Sequence, residues 1–303
     1  MHRPAAAQPP WRTAALTALA LLAFAGNSLL CRLALKQTAI DAASFTSVRL
    51  VSGALVLALL VAWRDRKLSG SNLPWRPGGW DAGSWGSALA LFAYAAGFSL
   101  AYIHLSAATG ALLLFSVVQT TLIGWGLARG ERLRPLQWLG LATASAGLVW
   151  LLLPGLAMPS LAAGALMAAA GVAWAVYTLR GRGAGDATAV TAGNFLRAAP
   201  LALVASAAAL AIGAPPRWDG TGLWLASASG ALASGLGYAV WYTALRDLSA
   251  TSAAILQLTV PALATAGGVL LLDEALTPQL IGASVTVLGG VALVILARSR
   301  PGA

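Results

Sequence analysis

The chain has 303 residues, of which 59% are hydrophobic and 9% charged, with a formal net charge of +10. A soluble domain carries roughly 25% charged residues, so a soluble fold of this length could not cover its surface. The excess of Lys and Arg sits in short connectors between apolar blocks, which speaks against nucleic-acid binding, and the single cysteine, Cys31, excludes a disulfide framework or a cysteine metal site within one chain.

The apolar blocks are long enough for helices that cross a hydrocarbon core of roughly 30 Å. The first, 13–35, carries Asn27 near its middle. Ala23-Phe24-Ala25 resembles a signal-peptidase site, but the apolar run continues to Leu35, so an uncleaved span is expected. The second, 42–63, contains Arg49. A connector over 64–82 follows, with Arg64, Asp65, Arg66, Lys67, Pro74, Arg76, Gly78-Gly79 and Asp81. The third span, 83–105, places Tyr94, Phe98 and Tyr102 on one face, at spacing four. The fourth, 107–128, holds Gln119, and the fifth covers 136–153. The sixth, 159–180, brings Trp174 and Tyr177 to one face, and the seventh, 188–212, holds Arg197. The eighth, 220–245, carries Gly235, Gly237, Tyr238, Trp241 and Tyr242. The ninth, 249–271, holds Gln257 and Pro261. The tenth, 277–297, has Gly282, Thr286 and Gly290 at spacing four, which suits close helix packing. No extramembrane domain is expected between these spans.

Loop charge sets the orientation. With a cytoplasmic N-terminus, the inside set holds Arg3, Arg12, Arg64, Arg66, Lys67, Arg76, Arg129, Arg132, Arg134, Arg180, Arg182, Arg246, Arg298 and Arg300. The outside set holds only Arg32, Lys36 and Arg217. Both termini are therefore expected in the cytoplasm, with the chain multi-pass in the inner (plasma) membrane.

The spans also repeat. Leu105-Ser106-Ala107 recurs as Leu248-Ser249-Ala250, and Glu131, Leu133, Pro135 and Gly147 match Glu274, Leu276, Pro278 and Gly290, all at an offset of 143. Arg32 matches Arg180 and Arg49 matches Arg197 at an offset of 148, the longer first connector accounting for the difference. These matches divide the chain into a first repeat, 1–153, and a second, 154–303, of five spans each. An odd number of spans makes the second half enter from the opposite side. The expected fold is all-α: ten transmembrane helices as two inverted five-helix repeats around a central cavity, a plan used by secondary transporters.

These residues resemble the repeat of the drug/metabolite transporter superfamily, EamA type. The first copy reads Leu105-Ser106-Ala107, Gly130-Glu131-Arg132-Leu133, Gln137-Trp138-Leu139-Gly140 and Gly147. The second reads Leu248-Ser249-Ala250, Pro261, Asp273-Glu274-Ala275-Leu276, Gln279, Gly282 and Gly289-Gly290. One departure is plain: where the second copy has Pro261, the first has Val118-Gln119. Within the superfamily the chain is similar to YddG-type exporters of aromatic and other neutral amino acids. The resemblance implies a basket of spans 1–4 and 6–9 around the cavity, with spans 5 and 10 outside it.

Polar side chains within a span are costly and usually face protein or a wet cavity. Asn27, Gln119 and Gln257 can donate and accept hydrogen bonds, as binding a zwitterion requires, or they can bond between helices. Tyr94, Phe98, Trp174, Tyr177, Tyr238 and Trp241 suit an aromatic-lined cavity, or core packing. Gly235, Gly237 and Pro261 are candidate hinge positions. Trp11, Trp63, Trp80, Trp85, Trp138, Trp150 and Trp224 sit at span ends, as interfacial belts do. Arg49 and Arg197 have three readings: snorkelling, pairing with a loop carboxylate, or attracting a substrate carboxylate. All nine acidic residues map to connectors or span edges, so transport is expected to be facilitative, or coupled through something the sequence does not show. The expected partners are amino acids and a lipid bilayer, with the chain monomeric and no nucleic acid, cofactor or metal involved. A transporter of another metabolite or drug is the alternative. No catalytic constellation points to an enzyme.

Overall fold

A computed structural model describes residues 10–69, 82–130, 132–152, 160–181, 185–248, 253 and 256–298. Arg3, Arg76, Trp80, Glu131, Arg182, Ser249, Ala250 and Arg300 lie outside the described residues. Among the described residues the fold is all-helical. The helices are α1 (Pro10–Gln37), α2 (Ala42–Ser69), α3 (Trp85–Tyr102), α4 (Ala107–Ala128), α5 (Pro135–Leu152), α6 (Leu161–Gly181) and α7 (Ala187–Ala211). Then come α8 (Gly220–Ala228) and α9 (Gly237–Ala244), joined by a π-helical segment (Ser229–Leu236) into one rod, and α10 (Thr259–Leu272) and α11 (Pro278–Arg298). Among the described residues, seven helical rods are long and apolar enough to cross a membrane, the α8–π–α9 rod being one of them.

Helix starts are fixed by short polar side chains that accept backbone N–H groups left over in the first turn. Ser84, Ser106, Asp186 and Asp219 do this for α3, α4, α7 and α8, each bonding the N–H three residues on. Asp41 caps α2 through the N–H of Ala43 (2.9 Å) and of Ser44 (3.0 Å). Asp41 also accepts the N–H of Arg217 at 2.8 Å, and Asp219 accepts that of Ala39 at 2.5 Å, so two connectors are tied together at one end of the bundle.

These caps make a pH prediction. Burial works against the Asp41 carboxylate, but bonds from Ser44, Arg217 and Ala43 hold its pKa below the usual value. The Arg64 guanidinium, with the Ala189 N–H, does the same for Asp186. A carboxyl whose folded pKa is depressed contributes stability above its unfolded pKa of about 3.9 and loses it as pH falls through the folded value. The melting temperature in detergent should therefore drop as pH goes below about 4. Asp41→Asn and Asp186→Asn should each flatten that drop. An unchanged acid limb in both variants would refute the assignment.

The core is built from packing of α2 on α7, α3 on α6, α4 on α6 and α1 on α9 and α10. α5 and α11 pack chiefly on each other. Small residues allow this: a Cβ on Gly140 would lie 2.6 Å from the Gly290 carbonyl, and one on Gly290 would lie 2.5 Å from the Ala144 N. Trp11, Trp63, Trp85, Trp138, Trp150 and Trp224 are all exposed on the bundle's outside.

Two elements differ from a plain reading of the apolar blocks. The eighth block is not α-helical throughout, since its middle is the π segment. In the ninth, the helix is interrupted by a turn at Leu258, just before α10. Pro261 has no N–H for the Gln257 carbonyl four residues back, so the ladder is broken at this point. Pro261 thus sits in the first turn of α10, where a missing N–H costs little, rather than kinking a continuous helix.

Candidate functional site

A cavity lies at the middle of the bundle. Its walls are Phe24, Asn27 and Ser28 of α1, Tyr94 and Phe98 of α3, Leu114 and Phe115 of α4, Trp174 of α6, Tyr238 of α9, and Gln257 before α10. Its water-accessible space is about 20 Å³, close to the room one water needs. The rings close it. Trp174 contacts Tyr94 at 4.8 Å and Tyr238 at 5.1 Å between centroids, and Tyr94 contacts Phe98 at 5.4 Å. These ring contacts narrow the space at the centre of the site.

A polar chain runs along one wall. Ser229 of the π segment donates to Asn27 Oδ1 at 2.6 Å, and Asn27 Nδ2 reaches the Tyr94 hydroxyl at 3.4 Å. Arg49 of α2 donates to the same hydroxyl at 3.1 Å and, through Nε, to Ser234 Oγ at 3.2 Å. The π segment therefore supplies two hydroxyls to the site; π-helical turns inside helices are frequent at functional sites. Gly230 between them allows α2 to approach, because a Cβ there would collide with the Arg49 carbonyl and the Ser52 hydroxyl.

Arg49 is 1% exposed. Its guanidinium carbon stands 5.0 Å from the Phe98 ring centre and 5.2 Å from that of Tyr94. Its Nη1 is buried with no hydrogen-bond partner. Among the described residues no carboxylate pairs with it. Burying an unpaired charge costs several kcal/mol even after relaxation, and the ring faces offset only about 2 kcal/mol of it. Its counterpart at the matching position, Arg197, is only half-buried and donates to the carbonyls of Ala82 and Gly193.

Of the residues singled out in the sequence, Asn27, Tyr94, Phe98, Trp174, Tyr238 and Gln257 line the cavity. Tyr177 and Trp241 stand one layer behind, Tyr177 against Trp174 at 5.4 Å and Trp241 against Phe24 at 5.6 Å. Gln119 is buried in α4 and is not part of the lining. Gly235 lies in the π segment, with the Gly230 and Gly53 carbonyls 3.3 and 3.4 Å from where its Cβ would be, and Gly237 begins α9. Phe24, Ser28, Leu114, Phe115, Ser229 and Ser234 escaped the sequence reading.

Polar contacts tie helices together at both ends of the bundle. At one, Glu274 pairs with Arg32 at 3.3 Å and accepts the Ala107 N–H at 2.8 Å, while Arg32 donates to the carbonyls of Tyr102 and Ile103. At the other, Thr13 donates to Asp247 at 3.3 Å, Arg64 pairs with Asp186, and Arg180 donates to Ser87 at 3.1 Å. A second hollow, of about 230 Å³, lies by Trp85, Leu196, Arg197 and Pro200. It is larger, but it lacks the converging amides, hydroxyls and rings of the central cavity, which we take as the functional site.

The EamA-like transporter family matches residues 162–296, from α6 into α11. Over 290 residues the chain is 54% identical to the uncharacterized protein PA1977 of Pseudomonas aeruginosa, covering 96% of each chain. The second half of the chain is thus EamA-like. With seven helical rods long and apolar enough to cross a membrane among the described residues, this is a multi-pass membrane protein whose second half is similar to a transporter family. A crystal structure of another protein shares its fold, with a TM-score of 0.64 at 21% identity over 96% of this chain and all of the other.

Proposed function

We propose that this protein exports aromatic and other neutral amino acids by alternating access, without coupling to proton flow. The observation that carries the reading is the central cavity, where six aromatic rings face amide and hydroxyl groups. Stacking suits an aromatic or aliphatic side chain, and the polar wall suits a zwitterionic head. Gln257 is held by no hydrogen bond among the described residues, so its amide is available to a solute.

The two mirrored states would come from the repeats 1–153 and 154–303, inverted about an axis in the membrane plane. The α5–α11 contact supports this: Gly147 meets Val287 and Gly290 meets Ala144, residues 143 apart in both exchanges. Loop charge supports cytoplasmic termini in an inner (plasma) membrane. The Arg32–Glu274 end then faces outward and the Arg64–Asp186 end inward.

Solute counterflow into liposomes tests the reading. Labelled phenylalanine and leucine should exchange, and Trp174→Ala or Gln257→Ala should each slow exchange about tenfold, the equivalent of about 1.4 kcal/mol. Exchange should be indifferent to an imposed pH gradient. Absence of amino-acid exchange by folded protein would favour another small metabolite or drug as the solute. Uphill accumulation driven by the gradient would refute the facilitative mechanism.

A further inference from the structure

We propose that Arg49 is the receptor for a carboxylate carried by the solute, with the Tyr94 hydroxyl as the second donor. The proposal rests on the central cavity being the solute site.

Arg49 is a permanent cation at the centre of the bundle, with a donor left over at Nη1. A purely structural cross-link would be expected to pair its charge, as Arg32 does with the Glu274 carboxylate beside two carbonyls. Arg49 instead bonds two hydroxyls and leans on two rings. Two of those neighbours, Tyr94 and Phe98, form the cavity wall, so Arg49 stands one side chain behind it. Tyr94 links the two layers. Its oxygen accepts from Arg49 and from Asn27, and its own O–H donates to no described residue. A hydroxyl that accepts from a guanidinium is a strengthened donor.

The group that fits this wall is therefore an acceptor with negative charge. One positive charge with no carboxylate partner among the described residues is balanced by one negative charge, which selects a monoanionic carboxylate over a doubly charged phosphate. The planar guanidinium matches the two oxygens of a carboxylate. The other walls then suit the rest of an amino acid. Trp174 and Tyr238 offer ring faces to an ammonium or to a side chain, and Gln257 offers an amide oxygen.

The test uses full-length protein in liposomes, with labelled phenylalanine and four unlabelled competitors. Phenylalanine and phenyllactate keep the carboxylate; phenylalaninamide and phenethylamine lack it. The two acids should compete about ten- to hundredfold better than the amide and the amine, the value of a charge-assisted bond. Arg49→Gln should erase that preference, and Tyr94→Phe should weaken the acids more than the amide. Should Arg49→Gln not fold, the wild-type ranking decides alone. Equal competition by phenylalanine and its amide would overturn the role of Arg49 and leave the exporter reading standing. Binding of phenyllactate, lost in Arg49→Gln and with no phenylalanine exchange, would overturn the amino-acid reading and keep Arg49. Failure of all four ligands with folded protein would overturn both.

Discussion

Glu274→Ala is expected to destabilise the protein by about 3 kcal/mol, as loss of a buried ion-pair partner does, and to unfasten one end of the cavity. The carboxylate is held from two sides, with its side chain 8% exposed and that of Arg32 15% exposed. One oxygen meets Arg32 and the other the Ala107 N–H at the start of α4. Its removal leaves that N–H unpaired and Arg32 with only the two carbonyls at the end of α3. Because Arg32 keeps those carbonyls, the cost falls at the low end of the range for a broken buried pair. Gly268 belongs to the same arrangement, since a Cβ there would lie 2.6 Å from Glu274 Oε2. The sole cysteine, Cys31, sits beside Arg32, fully buried, and reports on this end. Thermal unfolding in detergent should shift down, and Cys31 should become reactive to a maleimide that leaves the wild type unlabelled. Glu274→Gln, which keeps an acceptor for Ala107, should fall between. A variant that melts like the wild type with Cys31 unreactive would show that this end is closed by other contacts.

Gly230→Val should cost a similar amount, about 3 kcal/mol or more, because added volume meets backbone rather than a movable side chain. The obstacle is the carbonyl of Arg49, fixed inside α2, together with the Ser52 hydroxyl. Gly124 and Gly289 are the controls: a Cβ at either meets nothing within 4 Å. Alanine at those two positions should be neutral or stabilising, by up to about 1 kcal/mol from helix propensity. Melting curves of the three variants in one detergent decide it. Equal shifts would mean that α2 does not press on the π segment as described.

The sequence made the helices legible because membrane spans announce themselves by length and apolarity, and connectors by charge. The close-packed stripe Gly282–Thr286–Gly290 was legible for a related reason: small residues at spacing four have few other uses in a span. Six of nine proposed binding residues line the cavity because polar and large aromatic side chains stand out against an alanine- and leucine-rich background. The same background hid the rest. α1 is apolar on every side, so nothing in it says that Phe24 and Ser28 turn inward while Leu22 faces out. Ser229 and Ser234 were hidden differently. Five residues apart, they do not share a face of an α-helix, and only the π segment lets one reach Asn27 and the other Arg49. Arg49 was visible from the start, but its solitude was not, because that depends on which acids fail to come near.

That solitary guanidinium also bears on the membrane's electrical insulation. A transporter must not short-circuit the ion gradients across the bilayer that holds it. A sodium ion or hydronium entering the closed core would meet fixed positive charge and a space of about 20 Å³ walled by rings. A buried arginine at a constriction is a barrier that pores use to exclude protons and cations. Arg49 stands one side chain behind that wall, so its positive charge would oppose the passage of the cations whose leakage would be most damaging.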